Sequence, residues 1–184
     1  MHQFVRVGFL VATLGTAAVT SAAFQPPEQP EPDQFTSDPV MLILRGIPNS
    51  ENPRGQLDDR AALLYALYVG FRGEVLDVAG NTGPNSLQVR MALDRIRIDQ
   101  SIAAIYGFSG GGYNARLIWA GLTAAQRARI RRVIVVGSPG VAESDFPGMP
   151  YVLITPDPPK GHMAGPKALL ELEAGPKAPL ELGE

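Results

Sequence analysis

Cysteine is absent from all 184 residues. That excludes disulfides, thiolate catalysis, cysteine-ligated metal and a lipoprotein-type cysteine anchor. Histidine is scarce, with only His2 and His162, so any mechanism that needs an imidazole has two residues to draw on. Charge is sparse as well, at 18% of residues with a formal net charge of −2. This lacks the basic excess of a nucleic-acid surface. The local run Arg127, Arg129, Arg131 and Arg132 reads as a solvated helix end, where cations complement the helix dipole. No Walker A pattern is present. Beyond residues 7–19, no apolar stretch is long enough to cross a bilayer.

The N-terminus reads as an export signal. Arg6 supplies a positive charge, residues 7–19 are apolar with many small side chains, and Ser21-Ala22-Ala23 offers a small-residue cleavage site. The apolar run is short for a membrane span and rich in Gly, Ala and Thr, so cleavage within residues 1–23 is expected over retention as an anchor. The expected location is periplasmic or secreted, with no stable membrane anchor after cleavage. Residues 24–38, FQPPEQPEPDQFTSD, combine Pro26, Pro27, Pro30 and Pro32 with acids and read as an extended linker. A proline-rich ligand for a partner is the alternative.

The folded domain is expected over residues 39–173. Val40-Met41-Leu42-Ile43-Leu44 is a continuous apolar run, as in a strand buried on both faces. A helix follows over residues 58–69, with Leu63, Leu64 and Leu67 on one apolar face. Residues 74–79 form the next strand, closed by Gly80-Asn81-Thr82-Gly83. A helix over residues 86–96 points Leu87, Met91 and, further on, Ile98 inward. An apolar strand leads into Gly107, and a helix carrying Leu117, Ile118 and Trp119 follows. Thr123-Ala124-Ala125-Gln126 has the form of a capping box. Strands at residues 133–136 and 151–155 come next, then a short closing helix with Leu169, Leu170 and Leu172. Residues 164–173 and 174–183 are near-copies, AGPKALLELE and AGPKAPLELG. Pro179 interrupts the second, so a flexible tail is expected at 174–184. Strand–helix alternation of this kind predicts an α/β fold: a parallel sheet of about five strands with helices on both faces.

In such sheets the chemistry lies beyond the carboxyl ends of the strands. There the chain places Gly107-Phe108-Ser109-Gly110-Gly111, a G-x-S-x-G between a strand and a helix. This is the pattern of a nucleophile elbow. Small neighbours let the chain reverse around a strained serine, and the Gly110 amide at the helix start faces a developing oxyanion. A dinucleotide loop is the competing reading. Against it, Gly107, Ser109 and Gly112 give G-x-S-x-x-G, with serine in place of the second glycine. The following strand, Val133-Ile134-Val135-Val136, also carries no acid.

A serine nucleophile needs a base. With His2 in the signal segment, the base is His162, just past the last strand in Pro156-Asp157-Pro158-Pro159-Lys160-Gly161-His162. The orienting acid is Asp157 on the same loop, with Asp145 and Glu143 as alternatives after the preceding strand. Asp77, before a glycine turn, reads as structural.

From Val40 to His162 the chain resembles the α/β-hydrolase superfamily, most of all its small, lidless bacterial serine hydrolases. The carrying segments are Leu44-Arg45-Gly46, Asp77-Val78-Ala79-Gly80-Asn81-Thr82-Gly83, the elbow Gly107-Phe108-Ser109-Gly110-Gly111, Val136-Gly137-Ser138-Pro139 and Gly161-His162. The resemblance implies a minimal α/β-hydrolase fold, Ser109 as nucleophile and His162 as base. It also implies an oxyanion hole from the amides of Gly110 and of Gly46 or Ile47. Arg45 departs from the family's usual histidine; it is either an outside salt-bridge partner or faces an anionic substrate. Residues 140–150 leave no room for a lid. The expected activity is cleavage of a small-molecule or polymeric ester, or a thioester, through an acyl-enzyme on Ser109, with no cofactor, metal or nucleic-acid partner. The rival reading is a catalytically silent binding protein of the same fold. A nucleotide-binding module is the third.

Overall fold

The computed structural model describes residues 38–81, 83 and 85–174. The expected signal segment at residues 1–23, the expected linker except Asp38, and the expected tail beyond residue 174 lie outside the described residues. Strands β1 (Val40–Leu44), β2 (Arg72–Leu76), β3 (Ile102–Phe108), β4 (Arg132–Val136) and β5 (Val152–Thr155) alternate with helices. These are α1 (Asp59–Tyr68), α2 (Leu87–Ile98), α3 (Gly110–Gly121), α4 (Ala124–Arg129) and α5 (Gly165–Ala174). Every strand pairing is parallel. The spatial order is β2-β1-β3-β4-β5.

Side chains alternate across a strand, and each face of this sheet builds its own core. Leu42, Leu44, Ile105, Val133 and Val135 pack with Ile96, Ile118 and Trp119 on one face. Met41, Ile43, Tyr106, Phe108, Ile134 and Val136 pack with Ala62, Tyr65, Leu169 and Leu170 on the other. Helices therefore cover both faces. The central strands β1 and β3 are buried throughout, whereas the edge strand β5 is only half-buried. This is why the central strands read as unbroken apolar runs.

Local signals set several ends. Asp58 caps α1 by accepting from the Ala61 amide. The capping box at Thr123 and Gln126 opens α4. Arg127 donates to the Trp119 and Ala120 carbonyls at 3.1 and 2.9 Å. Arg129 donates to the Ile96 carbonyl at 2.9 Å. These two arginines thus satisfy carbonyls at the ends of α3 and α2 instead of only meeting solvent. No helix among the described residues is long and apolar enough to cross a membrane.

Three helix faces differ from expectation. Leu87, Met91 and Ile98 of α2 are exposed, Ile98 by 72%. The inward residues are Gln88, Val89, Ala92 and Ile96. Gln88 is buried because its amide meets backbone carbonyls of two strand-end turns, and that rotates the helix away from its larger apolar side chains. In α1, Leu63 and Leu64 pack against the core but Leu67 is exposed, because Ala62, Tyr65 and Ala66 form the buried stripe. In α5, Leu169 and Leu170 are buried and Leu172 is exposed. Strand β2 also starts earlier than expected and stops at Leu76, where its partner β1 ends at Leu44.

Candidate active site

The strand order reverses direction at β1. The chain steps outward from β1 to β2, then crosses back to β3 on the other side. Ligands in open α/β sheets bind at such a switch point, beyond the carboxyl ends of the strands. The turn after β1 carries Arg45, Gly46 and Ile47, and the turn after β3 carries Ser109.

Ser109 has φ 53° and ψ −119° and is the only non-glycine residue with positive φ among the described residues. Such a conformation costs about 1–3 kcal/mol and persists only where the surroundings hold it. Here they do. The Ser109 amide donates to the Val136 carbonyl at 2.8 Å, and its carbonyl accepts from the Gly112 amide at 3.0 Å. The Ser138 hydroxyl donates to that same carbonyl at 2.6 Å. Close packing forbids side chains around it: a Cβ on Gly107 would lie 2.5 Å from the Gly111 carbonyl oxygen, and one on Gly111 2.5 Å from that of Leu44.

Two amides beside Ser109 carry no hydrogen bond among the described residues: those of Gly110 and Ile47. They are close, since a Cβ on Gly110 would lie 3.2 Å from the Ile47 nitrogen. The Gly46 amide is different, because it donates to the Gln56 carbonyl at 2.8 Å. Of the two residues offered by the turn after β1, Ile47 alone has a donor to spare.

Arg45 is 8% exposed. Its Nη2 lies 2.5 Å from Asp59 Oδ2, and its Nε lies 3.8 Å from Asp77 Oδ1. The arginine therefore sits inside as an ion-pair partner of α1 and of the turn after β2, not outside. With two carboxylates against it, its charge is already matched.

Asp157 Oδ1 is 2.6 Å from His162 Nδ1. The short spacing works because the chain reverses between them. The Gly161 amide donates to the Pro158 carbonyl at 2.9 Å, closing a turn with Pro159 in its second position. The His162 ring rests on Phe108, with ring centroids 4.7 Å apart. Gly137, with φ +61°, lies beneath the pair. A Cβ there would come within 2.5 Å of Asp157 Oδ1 and 3.0 Å of His162 Cε1. With Nδ1 engaged, Nε2 is the ring nitrogen left for proton transfer. Ser109 Oγ and His162 form no hydrogen bond in this structure. Of the alternative acids, Asp145 accepts from the Ala142 amide at 2.9 Å within its own turn, and Glu143 is exposed. Neither is bonded to His162.

Two polar residues that motif reading passed over, Gln88 and Asn114, hold this edge together with Ser138 of the segment Val136-Gly137-Ser138-Pro139, and all three are buried. The signal for Gln88 was present, because it shares the inward stripe of α2 with Ala92 and Ile96. A cleft of about 260 Å³ between α1 and α5 and another of about 580 Å³ beside Trp119 do not include Ser109. Among the described residues, no group of three or more His, Asp or Glu gathers as metal ligands do. Comparison with protein-family models and with curated proteins finds no match to this chain.

Proposed function

We propose that the chain is a serine hydrolase of the α/β-hydrolase superfamily that cleaves a carboxylic ester or thioester through an acyl-enzyme on Ser109. One observation carries the reading: a serine strained at a strand tip sits beside two unpartnered amides, Gly110 and Ile47. Gly110 is buried, where an unused amide costs free energy, and Ile47 is exposed, so its amide stays accessible. Donors left open next to a projecting hydroxyl point to an acceptor that arrives with substrate.

In this mechanism Ser109 Oγ attacks the carbonyl carbon while His162 Nε2 takes its proton. The carbonyl oxygen becomes an oxyanion and accepts from the Gly110 and Ile47 amides. His162 then protonates the departing alcohol or thiol, leaving the acyl group on Ser109. Water attacks that ester while His162 Nε2 takes its proton, and the tetrahedral species collapses to the carboxylic acid as His162 returns that proton to the departing Ser109 Oγ. Asp157 accepts from Nδ1–H throughout, fixing the tautomer and stabilising the imidazolium. The order Ser109, Asp157, His162 along the chain is that of α/β-hydrolases. Between β4 and β5 the described chain holds only a short 3-10 turn at Glu143–Asp145, which supports an open site suited to a small or polymeric ester.

The absent Ser109–His162 hydrogen bond favours a second reading, a silent binding protein. Catalytic hydrogen bonds often tighten only when substrate is bound, so activity decides. Labelling with a fluorophosphonate probe is expected for residues 24–184 and lost in Ser109→Ala and in His162→Ala. No labelling of folded wild-type protein would establish the binding protein instead. Export rests on residues 1–23, and N-terminal sequencing of protein recovered outside the cytoplasm tests it.

A further inference from the structure

We propose that Gln88 is a positioning residue that holds the Ile47 amide beside Ser109. The proposal rests on the hydrolase reading. Hydrogen bonds hold most of the backbone in the turn after β1. The Arg45 carbonyl accepts from Gln88 Nε2 at 3.1 Å. The Gly46 amide donates to the Gln56 carbonyl at 2.8 Å, the Gly46 carbonyl accepts from the Gly80 amide at 2.9 Å, and the Ile47 carbonyl accepts from the Gln56 amide at 3.4 Å. Four backbone groups of the turn are engaged in this way, and the Ile47 N–H carries no hydrogen bond among the described residues. The ties on either side of that N–H fix where it points.

Gln88 contributes twice. Its Nε2 also donates to the Val78 carbonyl at 2.7 Å, so one side-chain amide holds the turn after β1 and the turn after β2. The second turn carries Gly80, which in turn holds the Gly46 carbonyl. Both peptides flanking Gly46 are thereby fixed, one directly and one through Gly80. The packing there is tight: a Cβ on Gly80 would collide with the Arg45 carbonyl and lie 3.0 Å from the Gly111 nitrogen.

The orientation of Gln88 is itself determined. Its Oε1 accepts from Asn114 Nδ2 at 2.9 Å. Asn114 Nδ2 also reaches the Asn81 carbonyl at 3.2 Å and Ser86 Oγ at 3.3 Å. A reversed amide would set the Gln88 oxygen against two carbonyls. Asn114 lies on α3, the helix that begins next to Ser109 and carries the Gly110 amide. Two side chains, each fully buried, therefore connect the elements that bear the two unpartnered amides. Displacement by about 1 Å of a group that acts in the transition state costs on the order of 10²-fold in rate.

The test compares wild type with Gln88→Met, which keeps the length and removes the donors. Hydrolysis of p-nitrophenyl acetate, thermal melting and ¹⁵N–¹H amide spectra are measured on residues 24–184. The expected result for a folded Gln88→Met is kcat lowered roughly 10- to 100-fold, since losing an oxyanion donor outright costs about 10²–10³-fold. KM stays within about twofold, because the interaction is made only in the transition state. The Gly46, Ile47 and Gly80 amide signals move. A folded variant with wild-type kcat, or one that changes KM alone, overturns the proposal. Wild-type protein that neither hydrolyses the ester nor labels removes the hydrolase reading. The amide spectra then still judge the clamp: unmoved signals in Gln88→Met overturn it, and shifted ones uphold it. Should Gln88→Met not fold, Asn114→Ser, which removes the bond to Gln88 Oε1, is expected to lower kcat several-fold at unchanged KM. A wild-type kcat there overturns the proposal.

Discussion

Asp157 and His162 stand five positions apart, yet Asp157 Oδ1 meets His162 Nδ1 at 2.6 Å because a turn closed between Pro158 and Gly161 folds one back onto the other. The pair is supported from below by Phe108 and Gly137. Both side chains remain partly exposed, so its weight is expected in orientation of the ring more than in stability.

Asp157→Asn should therefore separate activity from folding. Its amide is expected to favour the wrong imidazole tautomer and to lower kcat for p-nitrophenyl acetate by roughly 10²–10⁴-fold. Thermal melting should change little. Asp145→Asn, which alters only a local turn, should keep kcat within about twofold. Equal losses in both variants would remove Asp157 from the mechanism.

Gly137→Ala tests the floor of the site. The new methyl meets Asp157 and His162, and the φ of +61° adds backbone strain. The expected stability loss is about 1–2 kcal/mol, read by urea denaturation. Activity should fall much further than that loss explains, because the imidazole is displaced. A folded variant of unchanged activity would show that the pair has room to shift.

Arg45→Met tests whether the arginine serves substrate or fold. Removing it takes an ion-pair partner from Asp59 and one of two from Asp77, which keeps Arg54 Nη1 at 3.9 Å, and both carboxylates are partly exposed, so water compensates in part. A stability loss of about 1–2 kcal/mol is expected. The ratio of kcat/KM for anionic against neutral esters should stay within about twofold. A selective loss for anionic esters would assign Arg45 to substrate binding.

Tyr106→Phe addresses the core. The Tyr106 hydroxyl is buried and has no hydrogen-bond partner among the described residues. Burial, reinforced by Tyr65 and Asp58, holds its pKa well above the ordinary 10.0. The unfolded chain therefore releases this proton at lower pH than the folded one. The stability it contributes is full below pH 10 and declines as pH rises from there toward the folded pKa. Tyr106→Phe should match or exceed wild type by up to about 1 kcal/mol at pH 7. It should also show a shallower fall in stability between pH 10 and 11, measured by denaturant titration. An equally steep fall would place the alkaline transition elsewhere.

Much of the fold was legible in local pattern. The run from Val40 to Leu44 and the run into Phe108 announced central strands, because a strand buried on both faces has no position for a polar residue. The glycines around Ser109 announced a turn that tolerates no side chains, and the structure has that turn with φ 53° at the serine. The capping box at Thr123 and Gln126 needed only four consecutive residues.

The α2 face was not legible in this way. Leu87, Met91 and Ile98 look like an apolar stripe, but hydrophobicity alone does not weigh what a buried amide gains from distant carbonyls. Gln88 turns inward because the Arg45 carbonyl, 43 positions away, is there to accept from it. Sequence by itself determined the order of strands and helices, the serine turn and the two candidate acid–base residues nearest the last strand, because each follows from neighbours along the chain. Tertiary structure alone decided that Arg45 pairs with Asp59, that the Gly46 amide is taken by Gln56, and that the Ile47 amide is left open. Those outcomes depend on which groups meet across folded distances, and hydrogen bonding in a buried turn is settled by whichever partner the fold brings within reach.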